Sequence, residues 1–417
     1  MALLLLLVLG GPVAAYCVGG VPHVGRVGLA AADVANYHLV ANQLLSGVVP
    51  YSPTFHGHIP FIYPPGILAL IVLPSVAGGH YLLAFAAEML ALVLVGTLGL
   101  AALARRYLSD SSGTGWAILA LLAATGPLLV LRPDPLIGLL IAMSVLAWRR
   151  RHPASAFVLI ALAGLLKDYG WVAVVPMLAL QLGEARSLGL GLAAQVRRVL
   201  VSVLPAVALL VLVGAGFAVW SQGGLVHSQL LNSSRGVELE SVAGGILLVA
   251  SLGHNVTVFR GQLGNMLLGG GGLPAAVAVL PGIGLGLLVM LWAVWGGYQR
   301  RLGPATTVAG GVAAALIATP VLSPQYLLAL LPCLALAAME LEHRRRGNLL
   351  CLGLVLALLT QLEFPYLWLS AVAFRPYALA VLELRNLALL VCLALLILWC
   401  RKAPGPVETA AILLADG

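Results

Sequence analysis

Few side chains in this sequence could do chemistry, and they stand in short polar segments between apolar runs. Asp33 comes just before Val34–Leu45. Arg132-Pro133-Asp134, Lys167-Asp168-Tyr169, His227 with Arg235 and Glu240, and Ser323-Pro324-Gln325-Tyr326 follow. A lone acid such as Asp33 fits an N-cap, where its carboxylate accepts from free backbone N–H groups. Held at a lipid surface, the same acid would face a lipid head group. Lys167 is one of only two lysines among 22 Lys and Arg, and it stands between apolar runs. A charge there is costly and marks either a functional group or one paired locally, with Asp168 the nearest partner in sequence. His56 and His58 could join Asp33 around a divalent metal, but His-x-His without further ligands is weak. No cofactor is expected.

These residues need elements to position them. Val34, Tyr37, Val40 or Ala41, and Leu44 recur at helical spacing, so the segment after Asp33 reads as an amphipathic helix on the membrane surface. Gly47 would close it as a left-handed C′ residue, and Asp33 would open it. The turn Gly47–Tyr51 and the run Phe61-Ile62-Tyr63-Pro64-Pro65 hold the rest of this loop close to the lipid.

The remainder of the chain is membrane. Of its 417 residues, 61% are hydrophobic and 9% charged, against about one-quarter charged in soluble domains. Mean hydropathy is +1.06. Apolar runs recur from end to end, and each crossing needs about 20 residues. The net charge of +8 does not indicate nucleic acid, because the arginines form short clusters between apolar runs and not one basic face. The clusters are Arg105-Arg106, Arg149–Arg151, Arg197-Arg198, Arg300-Arg301, Arg344–Arg346 and Arg401-Lys402. Placing all of them on the cytoplasmic side gives an all-α polytopic bundle of about twelve spans, with both termini inside. Met1–Gly20 reads as an uncleaved first span, Pro64–Ala77 as an interfacial or re-entrant helix, and His80–Ala104 as the next span. The others lie near 115–131, 134–148, 153–166, 170–183, 199–220, 272–298, 303–321, 325–341, 347–363 and 384–400. Residues 1–402 then form one domain, with a first outer loop at 21–77, a second at 221–243, and a short tail from 403. Cys17, Cys333, Cys351, Cys392 and Cys400 have no metal or disulfide spacing and read as small core residues.

All five polar segments fall on the outer side of this topology, and together they resemble a known family. An Asp with Tyr at i+4, then Leu-x-x-Gly-x-x-Pro-Tyr, then Tyr63-Pro64-Pro65, is similar to the first loop of GT-C glycosyltransferases. It most resembles glycosyltransferase family 87, the polyprenol-phosphate-mannose-dependent α-mannosyltransferases of actinobacteria. Arg132-Pro133-Asp134 resembles that family's Arg-x-Asp element. Ala163–Tyr169 resembles its small-residue, Lys-x-Tyr-Pro element, with Gly170 in place of the usual Pro. His227 with Arg235–Ser241 and Ser323–Tyr326 resemble two further elements. The likeness covers about residues 30–330.

The resemblance implies a membrane enzyme of the bacterial plasma membrane with its site on the extracytoplasmic side. It would move a sugar, mannose by family preference, from a polyprenyl-phosphate donor to a hydroxyl of a cell-envelope glycolipid or glycan. It implies Asp33 as general base, because a hydroxyl nucleophile needs its proton taken. It implies Lys167, His227 and Arg235 as contacts to the leaving phosphate. Glu240, Tyr63, Asp134, Gln325 and Tyr326 would line the donor site, although Arg235 with Glu240, and Arg132 with Asp134, also fit simple pairs. Two other classes compete. A transporter or lipid-linked-sugar flippase predicts repeated halves with midplane polar groups, and a scaffold does not need Asp33.

Overall fold

A computed structural model describes residues 26–399 apart from 53, 57–58, 106–110, 234, 251–255, 262–265 and 271–274. The expected first span, the tail, Arg106, Arg401-Lys402 and His58 lie outside the described residues. The chain is a mainly helical, membrane-embedded protein. Among the described residues, five helical stretches are apolar and long enough to cross a bilayer: Ile67–Ala104, Leu192–Trp220, Val279–Tyr298, His343–Val372 and Pro376–Trp399. The first of these is broken. Gly78 takes φ 57°, so α2 (Ile67–Val72) and α3 (Tyr81–Ala104) are separate helices joined by a 3-10 segment.

Two kinds of helix build the bundle. The long ones are α3, α9 (Leu192–Trp220), α12 (Ala275–Tyr298), α15 (His343–Gln361) and α17 (Pro376–Trp399). They leave leucines, valines and Trp295 exposed, as lipid-facing surfaces must. The short ones are α6 (Asp134–Arg149), α7 (Pro153–Leu166), α8 (Val174–Ser187), α13 (Pro304–Ala318) and α14 (Leu327–Met339). Helices α13 and α14 are buried along nearly their whole length, which is why they are apolar all round. A helix of 13 to 16 residues spans only about 20–24 Å, short of a hydrocarbon core of about 30 Å. The missing length is made up by irregular backbone. Lys167 and Thr319 are extended after α7 and α13, and short 3-10 turns precede α8 and α14. Such backbone is tolerated at membrane depth where protein surrounds it or where it lines a cavity.

The two ends of the bundle differ chemically. Arg150 donates to the carbonyls of Ala102 and Leu103, joining the end of α6 to the end of α3. Arg149 meets Glu340 after α14, and Glu340 accepts from the first N–H groups of α13. Arg151 and Arg198 share Glu184, tying α6 to α8 and to the start of α9. Arg186 reaches Gln299, Arg300 reaches Ser187, and Arg345 reaches the carbonyl of Trp399. The described basic clusters therefore gather at one end. The polar segments lie at the other, where α6 and α14 begin and α7, α13 and α15 finish.

At that polar end, α1 spans Arg26–Leu45. Its buried face is Val34, Tyr37, Val40 and Ala41, the face expected from the spacing. It closes on Gly47, with φ +87°. The N–H of Gly47 donates to Leu44 O, and that of Val48 to Gln43 O, the two bonds of a Schellman ending. Its start departs from expectation. The helix continues upstream through Val27–Ala32, a stretch rich in alanine, the best helix former. Asp33 is thus a mid-helix residue and no N-cap.

The second expected loop is also more ordered than a loop. It holds α10 (Gly224–Ser233) and is followed by α11 (Val242–Ala250) and an antiparallel hairpin of β1 (Val256–Arg260) and β2 (Met266–Gly270). Leu239 N–H donates to Met266 O, and Leu268 N–H to Val237 O. Residues 237–239 thus extend the hairpin, a piece of sheet in a fold expected to be all-α.

Candidate active site

At the polar end is a cavity of about 620 Å³. The first loop supplies Asp33, Ile62 and Tyr63. The segments after α5 (Leu128–Leu131) and α7 supply Arg132, Lys167, Asp168 and Tyr169. Asn232, Arg235, Glu238 and Glu240 come from α10 and the segment after it, and Arg260 from the hairpin. Gln325 and Tyr326 come from the turn before α14, and Phe364 and Trp368 from the break after α15.

The first loop is stapled in place. Tyr51 OH donates to Tyr63 O at 2.8 Å. On α10, Ser228 donates to Phe61 O at 2.8 Å and Gln229 to Ile62 O at 3.1 Å. Tyr37 meets Tyr63 edge-on at 5.6 Å. Asp33, one turn before Tyr37, is thereby held at the cavity wall, where Arg132 Nη1 lies 2.8 Å from its Oδ2. Arg132 itself is buried and stacks over Phe364 at 5.8 Å.

Behind the wall lies a second pair. Lys167 Nζ donates to Asp134 Oδ1 at 2.9 Å and Oδ2 at 3.2 Å, and Tyr169 OH to Oδ1 at 2.5 Å. Asp134 is wholly buried. The ammonium also sits over Tyr326 at 4.6 Å and over Tyr63 and Tyr169 at 5.7 Å. Burial lowers the pKa of Lys167, and Asp134 opposes that shift. Burial also raises the Tyr63 and Tyr169 phenols well above their ordinary range, so they remain neutral hydroxyls. The backbone around Lys167 depends on Gly170. A Cβ there would lie 2.5 Å from Ala163 C and 2.7 Å from Gly164 N. Glycine at this position lets the 3-10 turn pack onto the end of α7.

The far wall is braced by the last helices. Arg235 pairs with Glu238 and not with Glu240. Glu240 Oε1 instead accepts from Trp368 Nε1 at 2.7 Å. Burial, then Glu238 and Glu363, push the Glu240 carboxyl up to about 8. Arg385, fully buried in α17, donates to Glu240 O at 2.5 Å and pairs with Glu363 at 3.0 Å.

The structure brings Asp33, Lys167, Arg235, Glu240, Tyr63, Gln325 and Tyr326 to one cavity, with Asp134 directly behind Lys167. Three sequence pairings change. Arg235 takes Glu238 and not Glu240, Asp134 takes Lys167 and not Arg132, and Lys167 does not pair with Asp168. His227 is not brought in. It lies on the exposed face of α10 with Val226 and Leu230, while Leu225, Ser228 and Asn232 make the inner face. The reason is the 3.6-residue period, which puts position 227 opposite the stapled side. Sequence reasoning missed Asp168, Asn232, Glu238, Arg260, Phe364, Trp368, Glu363 and Arg385. For Glu363 and Arg385 a signal existed, namely ionisable residues at the borders of apolar runs.

Among the described residues no group of three or more His, Cys, Asp or Glu is arranged to hold a metal. His56 has its backbone tied to Gln43, and its expected partner His58 is outside the described residues. No family model matches the chain, and no curated protein matches it.

Proposed function

We propose that the chain is a membrane glycosyltransferase of GT-C type. It transfers a sugar, mannose by resemblance, from a polyprenyl phosphate to a hydroxyl of a cell-envelope glycolipid or glycan. The observation that carries this reading is the cavity itself. A carboxylate held by an arginine shares one chamber with three further cations, Lys167, Arg235 and Arg260, at the end of a membrane bundle opposite its basic clusters. If those clusters face the cytoplasm, the chamber opens outside the cell, and about twelve crossings account for the helices.

In the proposed step the acceptor O–H attacks the anomeric carbon of the donor. The carbon–oxygen bond to phosphate breaks, and its electron pair leaves with the phosphate. The acceptor proton passes to Asp33, whose carboxylate Arg132 holds in one orientation. The charge developing on the phosphate is met by cations already in place, which is where an enzyme gains most from electrostatics. Attack opposite the leaving group inverts the anomeric centre, so one carboxylate suffices.

The test uses membranes containing the full chain, radiolabelled polyprenyl-phosphate mannose and an envelope lipid extract. A labelled glycolipid or glycan is expected, and Asp33→Asn should lower its rate by about a hundred- to ten-thousand-fold at unchanged protein level. Retained turnover in Asp33→Asn sinks the base assignment. Absence of turnover with every polyprenyl-phosphate sugar favours the transporter or scaffold classes.

A further inference from the structure

We propose that Asp168 and Asn232 form a sugar-hydroxyl subsite, a carboxylate–amide pair that grips two neighbouring hydroxyls of a bound glycosyl unit. The subsite rests on the transferase reading for what delivers that sugar.

The charge pattern of the cavity singles this pair out. Arg132, Lys167 and Arg235 each have a carboxylate in direct contact: Asp33, Asp134 and Glu238. Asp168 is in none of these ion pairs. Its neighbour Lys167 is extended, with φ −161° and ψ 136°, and turns its ammonium to Asp134. Asp168 instead accepts from Asn232 Nδ2 at 2.8 Å, a neutral partner. Both residues line the cavity. Burial pushes the Asp168 carboxyl up to about 6, against the Asn232 hydrogen bond and Lys167, which leaves it ionised at neutral pH.

A carboxylate offers about four lone-pair sites, and Asn232 takes one. The amide has a second N–H, and its oxygen is met by Arg235 Nη1 at 3.4 Å. The pair thus presents several acceptors beside one donor, the complement of a vicinal diol. Phosphate does not fit it, because an ionised carboxylate repels an anion. A metal is poorly served as well, since no cluster of three acidic or imidazole ligands forms among the described residues. Hydroxyl donors to a carboxylate make short, charge-assisted bonds, strong enough to decide which sugar epimer binds.

The experiment titrates the purified full chain, in detergent micelles, with methyl mannoside and its deoxy and epimeric analogues, without any polyprenyl donor. Saturable binding is expected for methyl mannoside. Asp168→Asn should weaken it by about tenfold or more, and Asn232→Ala, which keeps the carboxylate, by less. Wild-type binding should tighten as pH rises through about 6, and Asp168→Asn should lose that dependence. Removing a contacted hydroxyl from the ligand should cost the wild type much and Asp168→Asn little. Equal binding by wild type and a folded Asp168→Asn overturns the subsite, as does absence of glycoside binding to the wild type. Turnover is measured separately. Glycoside binding without turnover leaves the subsite standing and removes the transferase reading, while turnover with no role for Asp168 does the reverse.

Discussion

At the basic end of the bundle, Arg151 keeps 75% of its side chain in solvent while it meets Glu184. At the cavity end, the Lys167–Asp134 pair is 7% and 0% exposed, and Arg385–Glu363 is 0% and 1%. Both ends are laced by ion pairs, but the physics differs. The Glu184 partner is buried, but a pair whose cation stays in solvent keeps much of that ion's hydration, is partly screened and contributes about 0–1 kcal/mol. A buried pair must first give up the hydration of both ions, and its mutual attraction barely compensates. The basic end can therefore be explained by orientation in the membrane and by sealing helix ends. The cavity end cannot, because burying so much charge is a poor way to stabilise a fold. Buried charge inside a membrane protein points to function, and here it surrounds a chamber that also presents ionised groups.

The largest effect should come from breaking that buried pair. Lys167→Met leaves Asp134 charged and buried, with Tyr169 as its remaining contact. The expected loss is about 3–5 kcal/mol, read as a lowered thermal midpoint in detergent. Adding Asp134→Leu removes the stranded charge and should recover most of the stability, while the proposed transferase turnover stays lost. If the double variant is as unstable as the single one, the pair is structural and the contrast between the ends collapses.

A smaller effect should appear on changing pH. The Glu240 carboxyl is raised to about 8 by burial and by the nearby acids, so the folded state holds this proton more tightly than the unfolded chain. Its contribution to stability is complete below the ordinary pKa of 4.5 and is lost as pH rises through about 8. The thermal midpoint should fall by a few degrees across that window, and Glu240→Gln should flatten the fall. An unchanged slope in Glu240→Gln would place the titration elsewhere.

How far these features can be read from the residues depends on their range. The buried stripe Val34-Tyr37-Val40-Ala41 and the ending at Gly47 are local, and the structure has both. So is the break before His80, which needs only Gly78 in a left-handed turn. The upstream growth of α1 was hidden because seven residues without a polar stripe carry no periodicity to read. The pairing of Asp134 with Lys167 joins positions 33 apart, whereas adjacency in sequence favours Asp168. Only the extended backbone at Lys167 reverses that choice. His227 fails for a related reason, since a motif gives a residue's position but not its side of a helix. The hairpin gives little signal, because β2 carries two of its five residues as glycine, and glycine weakens any strand pattern. The brace from Arg385 to Glu240 spans 145 positions and depends wholly on how the last helices pack.

The smallest effect should be at the basic end, and it makes the comparison quantitative. Glu184 is shared by Arg151 and Arg198, so Arg151→Ala removes the exposed cation and leaves the acid a partner. Buried Glu184 keeps Arg198 and is not stranded. The expected loss of stability is below about 1 kcal/mol, with the proposed transferase turnover unchanged because the residue lies a full helix length from the cavity. It should shrink further in added salt, since exposed pairs are screened over about 8–10 Å. The Lys167→Met loss should persist in salt, because a buried pair is screened much less. A salt-insensitive loss of several kcal/mol in Arg151→Ala would mean that the two ends handle charge alike, and burial would no longer single out the cavity.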